Sequence, residues 1–554
     1  MSYIPENPLI VQGDLTVLVE VASPQAAAAR ELLLGIAELV KSPEYVHTWR
    51  LTALSLWNAA AAGHTADAVV ARLHALAKFP VPESVPAFIH EKMGRYGALR
   101  LVRDGDWLRL EAADPLLLDE VRTLAPLHDL LTEDDGAGGV RVAPRRRGEL
   151  KQALLAFGHP VEDAAGYDDG EALPMALRAT LPDGKPWALR DYQRDAVDAF
   201  HGGPGAGCGV IVLPCGAGKT LVGVAAMVRL GMRTLILCTG HTALLQWKAE
   251  ILRRTTLTEA DIGEWTSERK ELRPVTLTTY QILTWRPRAH APPAHLALFH
   301  DARWGLVIYD EVHLLPAPVF RDVALLQARR RLGLTATLVR EDGHEGDVFA
   351  LVGPKRYDVP WKSLEAQGWI AAARCVEVRV PLAHADREKL RGASPAERFR
   401  LASANARKVA VVEALLARHA GTPTLVLGTE LAPLEWLARR LGLPIVTGQT
   451  PRADRERLFT AFRAGEVRAL VLSKVGNHAI DLPNAAVAIE VSGTWGSRQE
   501  EAQRLGRVLR AKPGDNQAVF YTVVTADSRE QEMAERRQIF LAEQGYPYRI
   551  EVHE

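Results

Sequence analysis

Four cysteines, Cys208, Cys215, Cys238 and Cys375, are all that the 554 residues contain, and no two stand at a CxxC spacing. Three lie in or beside apolar runs that read as strands, so buried thiols are expected; a disulfide, a zinc site or an iron–sulfur cluster is not. No apolar run approaches the ~20 residues that a membrane helix needs. The N-terminal "MSYIPENPLIVQGD" also lacks the basic segment and apolar core of a secretory leader. The expectation is a cytosolic, cytoplasmic protein with no membrane contact. An excess of either charge is missing too, because 67 basic residues face 67 acidic ones. Any polyanion-binding surface must then come from local clustering. Aromatic residues make up only 6% and form no cluster that would serve single-stranded RNA as a stacking platform.

What remains is an ordinary globular composition, 47% hydrophobic and 24% charged. The chain is too long for one core, and at ~100–200 residues per domain about three or four units are expected. A short apolar run, "PLIVQGDLTVLVEV", precedes alanine- and leucine-rich segments that suggest a mostly helical domain over residues 1–98. Ser23-Pro24 reads as an N-cap with proline at the first helical position, opening a helix in "QAAAARELLLGIAELV". "LTALSLWNAAAAGHTADAVVARLHALA" reads as two helices around Gly63, either a packing hairpin or a DNA-reading helix-turn-helix, and packing is the simpler account. Short alternating strands around an acidic glycine loop, "TEDDGAGG", then predict a small mixed domain over 99–168. Its Arg145, Arg146 and Arg147 are open to two readings, phosphate contacts or a solvated face. "DAAGYDDGEALPM" has the composition of a linker.

Beyond Leu181 the grammar changes. Apolar runs "GVIVLP", "RTLILCT", "VTLTTY", "WGLVIYDE" and "RLGLTAT" alternate with helical stretches, as in βαβ units around a parallel sheet. The pattern restarts with "TPTLVLGT", "LPIVTG", "VRALVLSK", "AVAIEVSG" and "AVFYTVV". The fold class is therefore α/β, with two tandem parallel-sheet domains over 180–372 and 373–554.

"PCGAGKT" follows the first of these strands and precedes a helix. Backbone N–H groups of Gly216, Ala217, Gly218 and Lys219, in the loop that begins with Pro214 and Cys215 and belongs with them to the nucleotide-binding set, can curl around a β-phosphate, with the positive helix end aimed at the same anion. Lys219 would neutralise the β/γ oxygens, and Thr220 would hold Mg²⁺ through its hydroxyl. Position 213 carries leucine where the strict motif has glycine. "LVIYDEVH" ends its strand in two carboxylates at the edge where parallel sheets bind ligands. Asp310 suits an outer ligand of Mg²⁺, through water, and Glu311 a base or positioner for attacking water. In "QRLGRVLR", spacings of four and three put Gln503, Arg507 and Arg510 on one helix face, where the arginines suit the γ-phosphate.

In their order, "LRDYQRDAV", "PCGAGKT", "TGHTALLQWK", "TTYQIL", "DEVH", "LTATLVRED", "SKVGNHAIDLP" and "QEEAQRLGRVLRAK" resemble the motifs of superfamily 2 helicases. DEVH, Arg340-Glu341-Asp342 and "GSRQEEAQRLGR" resemble, more narrowly, the XPB family in its bacterial form. The resemblance spans nearly the whole chain. It implies two RecA-like motor domains, ATP and Mg²⁺ as cofactors, and 3′-to-5′ movement on single-stranded or forked DNA in repair, beside a repair nuclease or other repair proteins in the bacterial nucleoid. It gives Arg190 and Gln193 to adenine recognition, Thr335 and Thr337 to coupling hydrolysis with DNA grip, and Asp481 to the nucleotide's surroundings. Arg340, Glu341 and Asp342 match an element implicated in strand separation, although a charged helix start accounts for the same residues. The 99–168 domain would correspond to the family's damage-recognition domain. Two departures stand out: Ala479, beside His478, replaces a common glycine, and Asp386 to Lys408 offers only a short thumb-like insertion. A duplex translocase, or an ATP-gated assembly factor for a repair complex, would carry the same motor motifs.

Overall fold

Strands that alternate in burial open the chain. β1 (Leu9–Val11), β2 (Thr16–Glu20), β3 (Glu38–Lys41) and β4 (Val46–Arg50) form an antiparallel sheet in the order β1-β2-β4-β3. Val17 and Val19 of β2 face a core shared with α1 (Ala26–Ile36), α2 (Ala53–Ala61), α3 (Ala66–Leu76) and α4 (Ser84–Gly94). The computed structural model describes residues 3–41, 45–134, 139–165, 169–202, 206–287, 294–295, 302–314, 328–336, 348, 351–390, 393–473, 485–492, 504–506, 508–509, 516–543, 545–546 and 548–553. Two details of the first expected helix need correction. It starts at Ala26 behind Gln25, which makes no side-chain cap, while the Ser23 hydroxyl accepts from the Gln25 N–H at 3.3 Å. Its last residues become β3 instead, because pairing with β4 satisfies their backbone and overrides local helix preference. The helices expected over 1–98 are thus joined by a four-stranded sheet that the helical reading left out.

β5 (Leu99–Asp104), β6 (Trp107–Ala112), β7 (Leu131–Asp134), β8 (Gly139–Val142) and β9 (Val161–Asp163) form a second sheet, ordered β7-β8-β6-β5-β9. It buries Leu101 and Leu110 against α5 (Pro115–Thr123) and α6 (Arg147–Ala156). Neither reading of the arginine cluster holds for Arg147. It is 5% exposed and pairs with Asp163, to which Lys151 Nζ also donates at 3.2 Å. Arg146 pairs with Glu149 at 3.0 Å. Two of the three arginines therefore hold the small domain together.

After α7 (Asp191–His201) comes the first parallel sheet, built from β10 (Cys208–Val212), β11 (Thr234–Cys238), β12 (Ile262–Trp265), β13 (Val275–Thr279), β14 (Leu306–Asp310), β15 (Arg330–Thr335) and β16 (Lys355–Asp358). The order is β12-β13-β11-β14-β15-β10-β16, and every neighbouring pair is parallel. Helices α8 (Lys219–Leu230) and α9 (His241–Arg254) follow β10 and β11. All five residues of β11 and of β13 are buried, as expected of strands covered on both faces.

The second parallel sheet comprises β17 (Ala372–Val380), β18 (Thr424–Leu427), β19 (Ile445–Val446), β20 (Ala469–Leu472), β21 (Val487–Glu490), β22 (Gln517–Thr525) and β23 (Tyr548–Val552). Their order is β19-β20-β18-β21-β22-β17-β23. Beside it, Lys408 is buried and its Nζ donates to both oxygens of Glu530, at 2.8 and 2.7 Å, and to the Val491 carbonyl at 2.6 Å. A charge taken so far from water persists only when paired and hydrogen-bonded in this way. The segment 386–408 contributes to the short helices His384–Leu390 and Pro395–Ser403 and to the start of Arg407–Arg418.

The chain divides into two compact units, Met1–Val212 with Gly218–Asp358, and Val359–Glu554 with Leu213–Ala217. No helix among the described residues is long and apolar enough to cross a membrane. None of the four cysteines is in a disulfide; Cys238 and Cys375 are buried, whereas Cys208 and Cys215 are partly exposed, unlike the buried thiols expected.

Candidate nucleotide-hydrolysis site

Parallel strands bring their carboxyl ends to one edge. In register, Asp310 of β14 lies opposite Leu334 of β15, and Thr335 opposite Val212 of β10. The loop holding Pro214, Cys215, Gly216 and Ala217 leaves β10 at that edge and enters α8 through Gly218. Gly216 and Gly218 both take left-handed backbone conformations, with φ of 82° and 81°. Only glycine adopts these without strain. At Gly218 a Cβ would also stand 2.6 Å from Gln193 Nε2, so the loop's end and Gln193 meet closely.

Lys219 and Thr220 are the first two residues of α8. Lys219 Nζ lies 3.3 Å from Glu311 Oε1. Glu311 has a φ of 48°, a left-handed conformation that bulky residues rarely take and that marks strained functional turns. Asp310, the last residue of β14, accepts a hydrogen bond from Trp247 Nε1 at 3.0 Å, and its main-chain carbonyl accepts one from the Tyr280 hydroxyl at 2.9 Å. Burial, and next the adjacent Glu311 charge, push the Asp310 carboxyl up to about 6, while Trp247 and Lys219 act in the opposite direction. A carboxylate held this way gains from an added cation.

Behind Glu311 lies buried His313, whose Nδ1 is 3.5 Å from Glu311 Oε2 and hydrogen-bonds Thr335 Oγ1. The fourth residue of DEVH thus connects the end of β15 with the carboxylate pair. Gln193 is buried near the start of α7, and its Oε1 accepts from the Arg190 N–H at 3.0 Å.

The structure therefore gathers Lys219, Asp310, Glu311 and Thr335 at one sheet edge, with Gln193 against Gly218. Thr337, Arg340, Glu341, Asp342, Asp481, Gln503, Arg507 and Arg510 lie outside the described residues. Sequence reasoning missed Trp247, Tyr280 and His313 as partners of this site, although each stands in a quoted motif. Within the second unit, Arg504, next to Gln503 in the chain, is 1% exposed and pairs with Glu490 Oε1 at 2.8 Å. An arginine next to a helix face can point inward, and heptad-like spacing alone does not reveal which one does.

Three sequence families match parts of the chain. Residues 364–554 match the ERCC3/RAD25/XPB C-terminal helicase family. Residues 187–340 match the res subunit of type III restriction enzymes, and residues 9–134 a helicase conserved C-terminal domain. A protein of Kineococcus radiotolerans named DNA 3′-5′ helicase XPB is 55% identical over 98% of this chain and 96% of its own. One of the same name from Mycobacterium tuberculosis is 54% identical over 98% of both chains. A subunit from Antonospora locustae, named XPB helicase/translocase of general transcription and DNA repair factor IIH, is 35% identical over 98% of this chain and 81% of its own.

Proposed function

This chain belongs to the XPB family of helicases, and we propose from that premise and from the site's geometry that it is an ATP-dependent DNA helicase moving 3′ to 5′ and serving DNA repair. The observation that carries the reading is Lys219 Nζ at 3.3 Å from Glu311 Oε1, at the mouth of a glycine loop and beside buried Asp310. Lys219 and Glu311 form an ion pair there. A triphosphate entering the loop draws Lys219 onto its β/γ oxygens and frees Glu311 to orient water.

Asp310 and the Thr220 hydroxyl suit Mg²⁺, because two adjacent carboxylates, one raised to about 6, form a donor set that a divalent cation relieves. Bound there, the ion would neutralise charge on the phosphate oxygens. Gln193 and Arg190 would read the adenine, with Asp481 near the nucleotide. Arg507 and Arg510, with Gln503 on the same face, would supply positive charge to the γ-phosphate. Thr335 and Thr337 would pass the nucleotide state to the DNA grip, with His313 as the link at Thr335. Arg340, Glu341 and Asp342 would part the strands. Single-stranded and forked DNA are the substrates, repair proteins the partners, and the cytoplasm the compartment.

ATP hydrolysis with and without single-stranded, duplex and forked DNA, followed by displacement from 3′- and 5′-tailed duplexes, tests this. Stimulation by DNA and displacement from the 3′-tailed substrate alone are expected. Hydrolysis indifferent to DNA would instead support an assembly factor, and duplex-stimulated hydrolysis without displacement a translocase. Lys219→Ala should lose both nucleotide binding and hydrolysis. Glu311→Gln should bind ATP yet stall, and equal loss of affinity in both variants would overturn the assignment.

A further inference from the structure

Opposite the nucleotide edge, the same strands begin at a second site. Cys208, Arg331 and Arg356 stand at the amino ends of β10, β15 and β16, and they line a cavity of about 560 Å³ with residues of both preceding small domains. Its size falls in the range of ~300–1,000 Å³ usual for small-molecule sites. A strand of five residues at ~3.3 Å each separates it from the nucleotide loop.

The wall is cationic. Among the described residues, Lys151, Arg329, Arg331 and Arg356 line it; Asp163, the one carboxylate of the lining, is held by Arg147 and Lys151, and Arg329 pairs with Asp169 outside the lining. Arg356 Nε donates to the Cys208 carbonyl at 2.8 Å, and burial lowers its guanidinium from the ordinary range. Close packing keeps this wall in place: a Cβ on Gly209 would stand 2.4 Å from Arg356 Cγ. The remaining polar groups add donors. Trp57 is 9% exposed and its buried indole N–H has no hydrogen-bond partner among the described residues, a cost that a native fold rarely carries without reason. Tyr96 keeps its proton, because burial and then Glu162 and Asp163 push its hydroxyl up to about 12. Leu54, Leu155 and Pro160 supply an apolar side.

A cavity rich in donors and guanidinium groups, poor in acceptors and partly apolar is complementary to an anion with a less polar body. From this we infer a binding site for a free phosphate monoester of mononucleotide size, separate from the ATP site. The phosphate lies toward Arg331 and Arg356, and the body lies along Trp57 and Leu155. A duplex is too wide for such a recess, which favours a small molecule over a DNA groove contact.

The test uses the full chain with ADP saturating the motor site. Cytidine 5′-monophosphate, cytidine, inorganic phosphate and a 5′-phosphorylated oligonucleotide are titrated by calorimetry. In parallel, the ¹⁵N–¹H indole resonance of Trp57 is followed, assigned through Trp57→Phe. The monophosphate should bind saturably and shift that resonance, while cytidine should do neither. Arg356→Gln should weaken binding by about tenfold or more, the loss of one charge-assisted contact. Should Arg356→Gln fail to fold, Tyr96→Phe, which removes only a hydroxyl, should still weaken binding. Equal binding of cytidine, binding of the oligonucleotide alone, no binding of the monophosphate at millimolar concentration, or binding lost in Lys219→Ala but kept in Arg356→Gln would each overturn the proposal.

Discussion

A single carboxylate, Asp310, exposes the tension in this site. It is buried beside Glu311, so its ionisation is disfavoured, and its value rises from 3.8 to about 6. Between those values the folded chain holds a proton that the unfolded chain has released. The stability contributed by protonation is therefore full below about 4 and lost as pH rises to about 6. Above that, the ionised group destabilises the fold. Asp310→Asn keeps an acceptor for Trp247 Nε1 and removes the charge, so at pH 7 it should melt higher than the parent chain while hydrolysing no ATP. The two melting curves should converge as pH falls toward 4. A variant that melts lower at pH 7 would show that the charge stabilises the fold in spite of its burial.

At the scale of elements, the parallel strands were legible because burial on both faces writes a continuous apolar run, as in "RTLILCT". The end of "GIAELV" was not, because its strand identity comes from pairing with β4. The positions of the glycine loop and the carboxylates were legible because each stands at the end of an apolar strand. Trp247, His313 and Arg504 were not, since what they do depends on contacts 63, 22 and 14 residues away in the chain, to Asp310, Thr335 and Glu490. Gly223 belongs with them. A Cβ there would stand 2.4 Å from Trp247 Cη2 and 3.0 Å from Leu334 Cδ1, so α8 approaches α9 and β15 as closely as it does only with glycine. Gly223→Ala should cost about 1–3 kcal/mol by overpacking and slow hydrolysis by displacing Trp247. Trp247→Phe separates the two effects. It keeps a ring in place but removes the N–H that holds the Asp310 carboxyl down, so the pH dependence of the melting temperature measured without Mg²⁺ and ATP should move to higher pH. An unmoved pH dependence in Trp247→Phe would assign Trp247 to packing alone.

For the whole molecule, the proposed roles give hydrolysis and strand separation to distinct residues. Lys219, Asp310 and Glu311 stand together at the carboxyl edge of one sheet, the proposed place of ATP hydrolysis. Arg340, Glu341 and Asp342 follow β15, whose last residue, Thr335, is bonded to His313 and so adjoins that edge. With equal numbers of acidic and basic residues, the chain has no general attraction for DNA, and grip must come from local clusters whose salt dependence is steep. Replacing Arg340, Glu341 and Asp342 together by alanine should therefore leave DNA-stimulated hydrolysis within about twofold of the parent, since none of the residues proposed to hold the nucleotide is changed, while displacement from 3′-tailed duplex falls by about tenfold or more. If the triplet served only to start a helix, the change would be a stability loss of about 1 kcal/mol with both activities reduced in proportion. Melting temperature, hydrolysis rate and displacement rate measured on one preparation separate these outcomes. Parallel loss of the two activities would remove strand separation from the triplet and leave it a structural element of the first motor domain.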